Sequence, residues 1–119
     1  MSPDERSDTA SLGDLVGACL RVGGYLRGAS RSDLDRDDRL RSACCYEIAV
    51  IGEAVKRVSA TTRSKHPEVP WKDIAGMRDR LIHGYDSVDL DELWKTATED
   101  VPVLLEQVRA ILAIDTGQE

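Results

Sequence analysis

Three side chains with complementary chemistry lie within eight residues of one another: Arg78, His83 and Tyr85. The planar guanidinium of Arg78 matches pairs of phosphate oxygens and stays charged at any working pH. The imidazole of His83 can donate and accept protons near neutrality. These two groups suffice for metal-free RNA cleavage, in which the 2′-hydroxyl attacks phosphorus, His83 moves a proton and Arg78 stabilises the growing negative charge. The structural alternative is an Arg78 surface ion pair and a His83 at a helix C-terminus.

The sequence lacks the signature motifs of several other classes of enzyme. The chain has no Gly-rich phosphate loop, no serine elbow motif and no HExxH zinc motif, and it contains only two histidines. The three cysteines, Cys19, Cys44 and Cys45, lack the spacing of metal ligands. They fit small buried hydrophobic residues in a reducing compartment. We therefore expect neither a metal nor a cofactor.

Apolar residues recur at helical spacing along most of the chain. They predict a first helix from about Leu12 to Leu26, ended by Gly28, and a second over about 33–60. Two prolines predict a loop over 61–70, because each disfavours helical geometry in the residue before it. The elements that follow carry the chemical residues.

A third helix is predicted from Trp71 to Ile82 or Tyr85, where Gly84 can end it. A fourth begins at Asp86 or Asp89, and its apolar seam steps by four and three residues. The seam comprises Leu90, Trp94, Ala97, Val101, Leu104, Val108 and Ile111. Pro102 lies within this seam and should kink the helix. Four helices with short connections predict an all-α antiparallel bundle.

The third helix poses a geometric problem for the candidate chemistry. On an ideal helix Arg78 and Tyr85 share a face, whereas His83 lies about 140° away from Arg78. The two groups can meet only if the helix loosens near Gly84 or if a second subunit completes the site. A homodimer is therefore one expected assembly.

Composition supports one small helical domain. The chain has 119 residues, 41% hydrophobic and 4% aromatic, with no Phe, which favours packed helices over a sheet. We expect a flexible tail over 1–10 and a domain over 11–115. The net charge of −6 argues against non-specific coating of nucleic acid, although 56–83 carries a net +4. Neither a long apolar run nor a signal peptide is present, so a cytoplasmic protein without a membrane partner is expected.

The chemical residues also resemble a known motif. Arg78-x4-His83-x-Tyr85 resembles the R-x4-H-x-Y motif of HepT-like toxins, which belong to the HEPN superfamily. Two further segments are similar to the family: Ile51-Gly52-Glu53-Ala54, and Pro70-Trp71-Lys72-Asp73-Ile74-Ala75-Gly76-Met77-Arg78. A third runs from Asp86-Ser87-Val88-Asp89 through Leu93-Trp94 to Asp100-Val101-Pro102. Together these matches cover about residues 12–112 in order.

The resemblance implies a four- or five-helix HEPN bundle that dimerises, with two R-x4-H motifs facing one cleft. It further implies a ribonuclease toxin of a type VII-like toxin–antitoxin system, with Arg78 and His83 catalytic. A minimal nucleotidyltransferase antitoxin would transfer AMP to Tyr85. Asp79 stands where family members commonly carry Asn, and it could orient a neighbouring side chain. Glu53 could either contact Arg78 or be exposed on the surface.

A second function remains open on the sequence. A non-catalytic dimer could serve as the substrate or scaffold of a nucleotidyltransferase, and the acidic charge and Asp79 favour this alternative. The intact Arg78, His83 and Tyr85 favour the ribonuclease. Trp71 and Trp94 are expected to anchor the core rather than stack on bases.

Overall fold

A computed structural model describes residues 2–84 and 87–115. The described chain is helical apart from loops and one short hairpin, which confirms the predicted all-α class. The helices are α1 Pro3–Tyr25, α2 Asp33–Arg36, α3 Asp38–Arg57, α4 Ala60–Lys65, α5 Trp71–Ala75, α6 Met77–Leu81, α7 Leu90–Lys95 and α8 Val101–Asp115. Strands β1 Ile82–His83 and β2 Ser87–Val88 form the hairpin, and a π-helical turn over Thr96–Asp100 joins α7 to α8.

The core lies between α1, α3 and α8, with α1 packed against both of the other helices. The predicted apolar stripes supply its side chains. Its fully or almost fully buried members include Leu12, Leu15, Val22, Ile48, Ile51, Val55, Leu104, Val108 and Ile111. These positions recur every three or four residues, so each helix buries one face and leaves the other to solvent. Within the described residues, no helix is both long and apolar enough to cross a membrane.

The start of α1 differs from the tail expected over 1–10. Ser2 caps the helix by accepting a hydrogen bond from the Glu5 backbone N–H at 3.1 Å, and Pro3 occupies the first turn. Asp8 is only 3% exposed. Its carboxylate accepts hydrogen bonds from Ser59 N (2.8 Å), Ser59 Oγ (2.6 Å) and Thr62 Oγ1 (2.6 Å). Residues 3–10 are thus helical, and Asp8 ties them to the start of α4.

We expect Asp8→Ala to destabilise the fold by about 2–3 kcal/mol, because the half-buried donors of Ser59 and Thr62 would lose their acceptor. Burial raises the pKa of Asp8, but the hydrogen bonds from Ser59 and Thr62 outweigh burial and hold that pKa below its usual value. A lowered folded-state pKa stabilises the protein above the unfolded-state pKa, and this stabilisation is lost as pH falls through the folded value. Urea unfolding should therefore separate wild type from variant at pH 7 and less so in acid. The control is Asp4→Ala, an exposed acid of the same helix; equal destabilisation by both variants would contradict this assignment.

The predicted second helix over 33–60 is divided into α2 and α3. Asp37 between them is extended, and its side chain caps α3 by accepting from Arg39 N (3.0 Å) and Leu40 N (3.1 Å). The predicted loop over 61–70 also contains a helix, because Ser59 caps α4 through the Thr62 backbone N–H. Local capping side chains therefore override the continuous apolar stripe.

The last helix departs from α geometry immediately before Pro102. Proline lacks the N–H that would bond to the carbonyl four residues earlier, and its ring crowds that carbonyl. The π-helical turn over Thr96–Asp100 gives the extra room. The expected irregularity near Pro102 therefore appears as this turn. Of the two tryptophans, Trp71 is buried and its Nε1 donates to the His66 carbonyl at 2.9 Å, whereas Trp94 is half-buried against the core.

Candidate active site

Arg78 lies on α6, a single turn whose buried Met77 and Leu81 fix it to the core. Its side chain is 55% exposed, and the nearest carboxylate among the described residues is Asp79 Oδ1, at 3.8 Å from Nη1. The Asp79 side chain is itself 84% exposed, so this pairing is weak in water. The guanidinium is therefore accessible at the surface and available to an anion.

Gly52 brings α3 close enough to place Arg78. It is buried, and a Cβ at this position would lie 3.4 Å from the Ala75 carbonyl oxygen at the end of α5. A methyl group at this position would already touch the α5–α6 junction, so a larger side chain would have to displace the junction from α3. On the same side of α3, burial raises the pKa of the Cys45 thiol while the positive charge of Arg78 opposes the rise. Arg78 is thus held beside α3.

His83 lies on β1 rather than on the helix that carries Arg78. The hairpin pairs Ile82 with Val88 and His83 with Ser87, and Gly84 has a φ of +77° that side-chain-bearing residues rarely adopt. The Asp89 backbone N–H donates to the Leu81 carbonyl at 2.8 Å and closes the turn. Of the two predicted ends of the third helix, the end at Tyr85 is therefore wrong, and the end at about Ile82 lies one residue beyond the last helical residue, Leu81. The helix breaks at Gly76 and ends at Leu81.

This early end removes the helical constraint that would hold Arg78 and His83 on different faces. The angle of about 140° between Arg78 and His83 applies only to a continuous helix, and His83 is extended instead. Its imidazole is exposed and makes no hydrogen bond or ion pair with the described part of the chain. Tyr85 lies outside the described residues, so its predicted position on the Arg78 face is not tested.

Glu53 does not contact Arg78 within one chain. Its side chain is 67% exposed, and its Oε1 accepts from Lys56 Nζ at 3.3 Å. Neighbouring helical residues point about 100° apart. Because Gly52 faces α5, Glu53 is turned towards solvent. Of its two predicted environments, surface exposure is the one found.

Arg80 has a structural role that the sequence analysis missed. Its guanidinium contacts Asp73 Oδ1 at 2.5 Å and Glu92 Oε1 at 3.7 Å, so it joins α6 to α5 and α7. The sequence separation of seven between Asp73 and Arg80 was the available signal, since it is two helical turns. His66, the other histidine of the chain, is half-buried with Nδ1 3.5 Å from Glu68 Oε1. Among the described residues, no group of three or more His, Cys, Asp or Glu side chains could hold a metal ion.

Comparison with known proteins places this site in a family. A family model described as "Ribonuclease HepT-like" matches residues 16–111, which include Arg78 and His83. The chain belongs to the HepT-like family. The match runs from the middle of α1 into α8, so it covers most of the helical core and the hairpin that carries His83.

Several relatives share much of their length with this HepT-like chain. It is 44% identical over 87 residues to a "Putative RNase" of Caldanaerobacter subterraneus subsp. tengcongensis, covering 73% of the chain and 78% of the relative. It is 37% identical over 100 residues to the "Probable ribonuclease HepT" of Thermococcus cleftensis, covering 84% and 91%. It is 43% identical over 108 residues to a "Putative RNase" of Methanocaldococcus jannaschii, covering 91% and 93%. No solved structure matches significantly.

Proposed function

We propose that this protein is a metal-independent endoribonuclease toxin in which Arg78 and His83 are catalytic. The observation that carries the proposal is that two exposed groups lie on adjoining elements. The Arg78 guanidinium on α6 has only a weak ion pair with Asp79, and the His83 imidazole lies on the hairpin that follows. The HepT-like family model and the relatives named "Putative RNase" and "Probable ribonuclease HepT" support the same activity.

The proposed reaction is an internal transesterification of RNA. The 2′-oxygen attacks the adjacent phosphorus, and the bond from phosphorus to the 5′-oxygen of the next nucleotide breaks. One proton leaves the 2′-hydroxyl and one is gained by the departing 5′-oxygen, and His83 moves one of these protons. Arg78 binds the phosphate oxygens and stabilises the charge that accumulates on them. The products are a 2′,3′-cyclic phosphate and a 5′-hydroxyl.

Asp79 is a supporting residue in this scheme. Its carboxylate lies 3.8 Å from the Arg78 guanidinium and can orient it before RNA binds. A negative charge next to a phosphate opposes binding, so the RNA phosphate must displace Asp79 from this weak contact. The high exposure of both side chains makes that displacement inexpensive.

In this proposal the protein acts as a homodimer and is one partner of a toxin–antitoxin pair. Two R-x4-H motifs would face one cleft, so that each subunit contributes to RNA binding. A partner minimal nucleotidyltransferase would neutralise the toxin by transferring AMP from ATP to the Tyr85 hydroxyl. In this step the tyrosine oxygen bonds to the α-phosphorus, the hydroxyl proton is lost and pyrophosphate leaves. The added nucleotide and its charge of about −1 would block the phosphate site at Arg78.

Modified RNA tests the proposed transesterification. An RNA with a single 2′-deoxynucleotide at an observed cleavage position should resist cleavage there, because the nucleophile is missing. The unmodified RNA should yield 2′,3′-cyclic phosphate and 5′-hydroxyl ends, identified by mass spectrometry. Cleavage at the deoxynucleotide, or 5′-phosphate ends, would show that a water molecule attacks instead. No cleavage of any RNA would favour the non-catalytic scaffold.

A further inference from the structure

The hairpin that carries His83 has little structure of its own. Each of its two strands has only two residues, and isolated two-stranded hairpins are marginally stable in water. The His83 imidazole makes no hydrogen bond or ion pair with the described part of the chain, so the hairpin backbone sets its position. The elements on either side of the hairpin must therefore hold it in place.

Two links join the end of α6 to the start of α7 and so close the base of the hairpin. The first is the hydrogen bond from the Asp89 backbone N–H to the Leu81 carbonyl, at 2.8 Å. The second is the ion pair between Arg80 Nε and Glu92 Oε1, at 3.7 Å. The Asp89 side chain also caps α7 by accepting from the Glu92 backbone N–H at 3.0 Å. Both links therefore end on the first turn of α7, and His83 lies in the chain between them.

Arg80 also ties α6 to the helix before it. Its Nη1 donates to Asp73 Oδ1 at 2.5 Å and to the Asp73 carbonyl at 3.5 Å. We call Arg80, Asp73 and Glu92 the Arg80 cluster. Arginine suits this position because its planar guanidinium presents several N–H donors in fixed directions. One side chain thus joins the helix that carries Arg78 to both of the neighbouring helices, α5 and α7.

The Arg80 cluster is separate from the proposed phosphate site. Arg78 and Arg80 are two positions apart on α6, which turns their side chains about 200° from each other. The Arg80 side chain is 35% exposed, against 55% for Arg78. The cluster contains one guanidinium and two carboxylates, so its net charge is negative and it does not attract a phosphate. Arg80 is therefore placed to hold the structure rather than to bind RNA.

We infer that Arg80 is a positioning residue for the proposed RNA cleavage. Its contacts with Asp73 and Glu92 fix the hairpin, and with it His83, relative to Arg78 on α6. A displacement of about 1 Å in a reacting group can lower a rate about 100-fold, because the atoms leave their aligned geometry. The catalytic part of this inference rests on the proposed function, whereas the hold on the hairpin can be measured without RNA.

Amide hydrogen exchange measured by NMR tests the hold on the hairpin. Arg80→Met keeps most of the side-chain length and removes the guanidinium. The Asp89 amide should exchange at least about tenfold faster in this variant, because its bond to Leu81 opens when the hairpin moves away from α6. Arg36→Met is the matched control, since it removes an arginine ion pair, with Asp33, that lies within α2. It should leave Asp89 exchange unchanged, and equal exchange in wild type and Arg80→Met would overturn the inference.

Steady-state cleavage kinetics distinguish positioning from phosphate binding. If Arg80 positions His83, Arg80→Met should lower kcat by about 10–100-fold and keep KM within about threefold of wild type. Glu92→Gln should also lower kcat, even though it removes a negative charge that repels RNA. If Arg80 instead binds a phosphate, Arg80→Met will raise KM and Glu92→Gln will lower it. That second pattern would overturn the inference.

The double variant Arg80→Met/Glu92→Gln completes the test. Because the two side chains act through one contact, its kcat should be no lower than that of Arg80→Met alone. Losses of kcat that multiply would overturn the shared contact, and Arg36→Met should cleave as wild type does. A wild type that cleaves no RNA would overturn the proposed function and the catalytic part of this inference. The exchange rate of the Asp89 amide would still decide whether Arg80 holds the hairpin.

Discussion

Replacing Arg78 or His83 by alanine is expected to lower RNA cleavage by about 10²–10⁴-fold, the usual effect of removing a transition-state donor or a proton carrier. Expression of either variant should no longer arrest growth. The fold should survive, because the Arg78 side chain is 55% exposed and its closest charged partner in the described part of the chain is 3.8 Å away. The His83 imidazole contributes no hydrogen bond within the described chain.

The control substitutions remove a cation and a histidine that lie outside the proposed site. Lys72→Ala removes an exposed cation from the neighbouring α5, and His66→Ala removes the other histidine while keeping the backbone carbonyl that accepts from Trp71. Both should retain cleavage within about threefold of wild type, because neither side chain contacts the reacting phosphate in the proposed scheme. Equal losses in Lys72→Ala and Arg78→Ala would indicate general electrostatic attraction rather than a specific role for Arg78.

Tyr85→Phe is expected to abolish modification by the partner nucleotidyltransferase while leaving the toxin active. Phenylalanine keeps the ring but lacks the oxygen that would bond to the α-phosphorus of ATP. The variant should therefore arrest growth even when the antitoxin is co-expressed. Intact mass spectrometry after incubation with ATP, Mg²⁺ and the nucleotidyltransferase should show one added AMP on wild type and none on Tyr85→Phe.

Tyr46→Phe is the matched control for this experiment, since Tyr46 is the most exposed of the described tyrosines, at 68%. It should gain AMP as wild type does. If Tyr85→Phe is modified or silenced as readily as Tyr46→Phe, Tyr85 is not the modified residue and the proposed mode of neutralisation is wrong.

The sequence predicted the helical core well because burial imposes a period on it. The seam from Leu90 to Ile111 and the apolar positions of the predicted second helix, from Leu40 to Val58, all lie in the core or pack against it. The family-like segment Ile51-Gly52-Glu53-Ala54 lies on α3, and its Gly52 packs against the Ala75 carbonyl at the α5–α6 junction. Motif and periodicity therefore located the elements that hold the site.

The details of the site depended on interactions that periodicity does not encode. Strands of two residues are too short to show alternation, so the hairpin that carries His83 was read as the end of a helix. The role of Asp8 depends on Ser59, 51 residues away, and no local pattern links them. The solvent-facing orientation of Glu53 depends on the packing of Gly52 against α5, which the sequence does not show.

The most direct test of the central claim is cleavage of an end-labelled RNA in excess EDTA by purified wild type and His83→Ala. We expect wild type to cleave at the same rate with and without EDTA, and His83→Ala to be slower by about 10²–10⁴-fold. Loss of wild-type cleavage in EDTA with recovery on adding a divalent metal would contradict it. So would a His83→Ala variant as active as wild type.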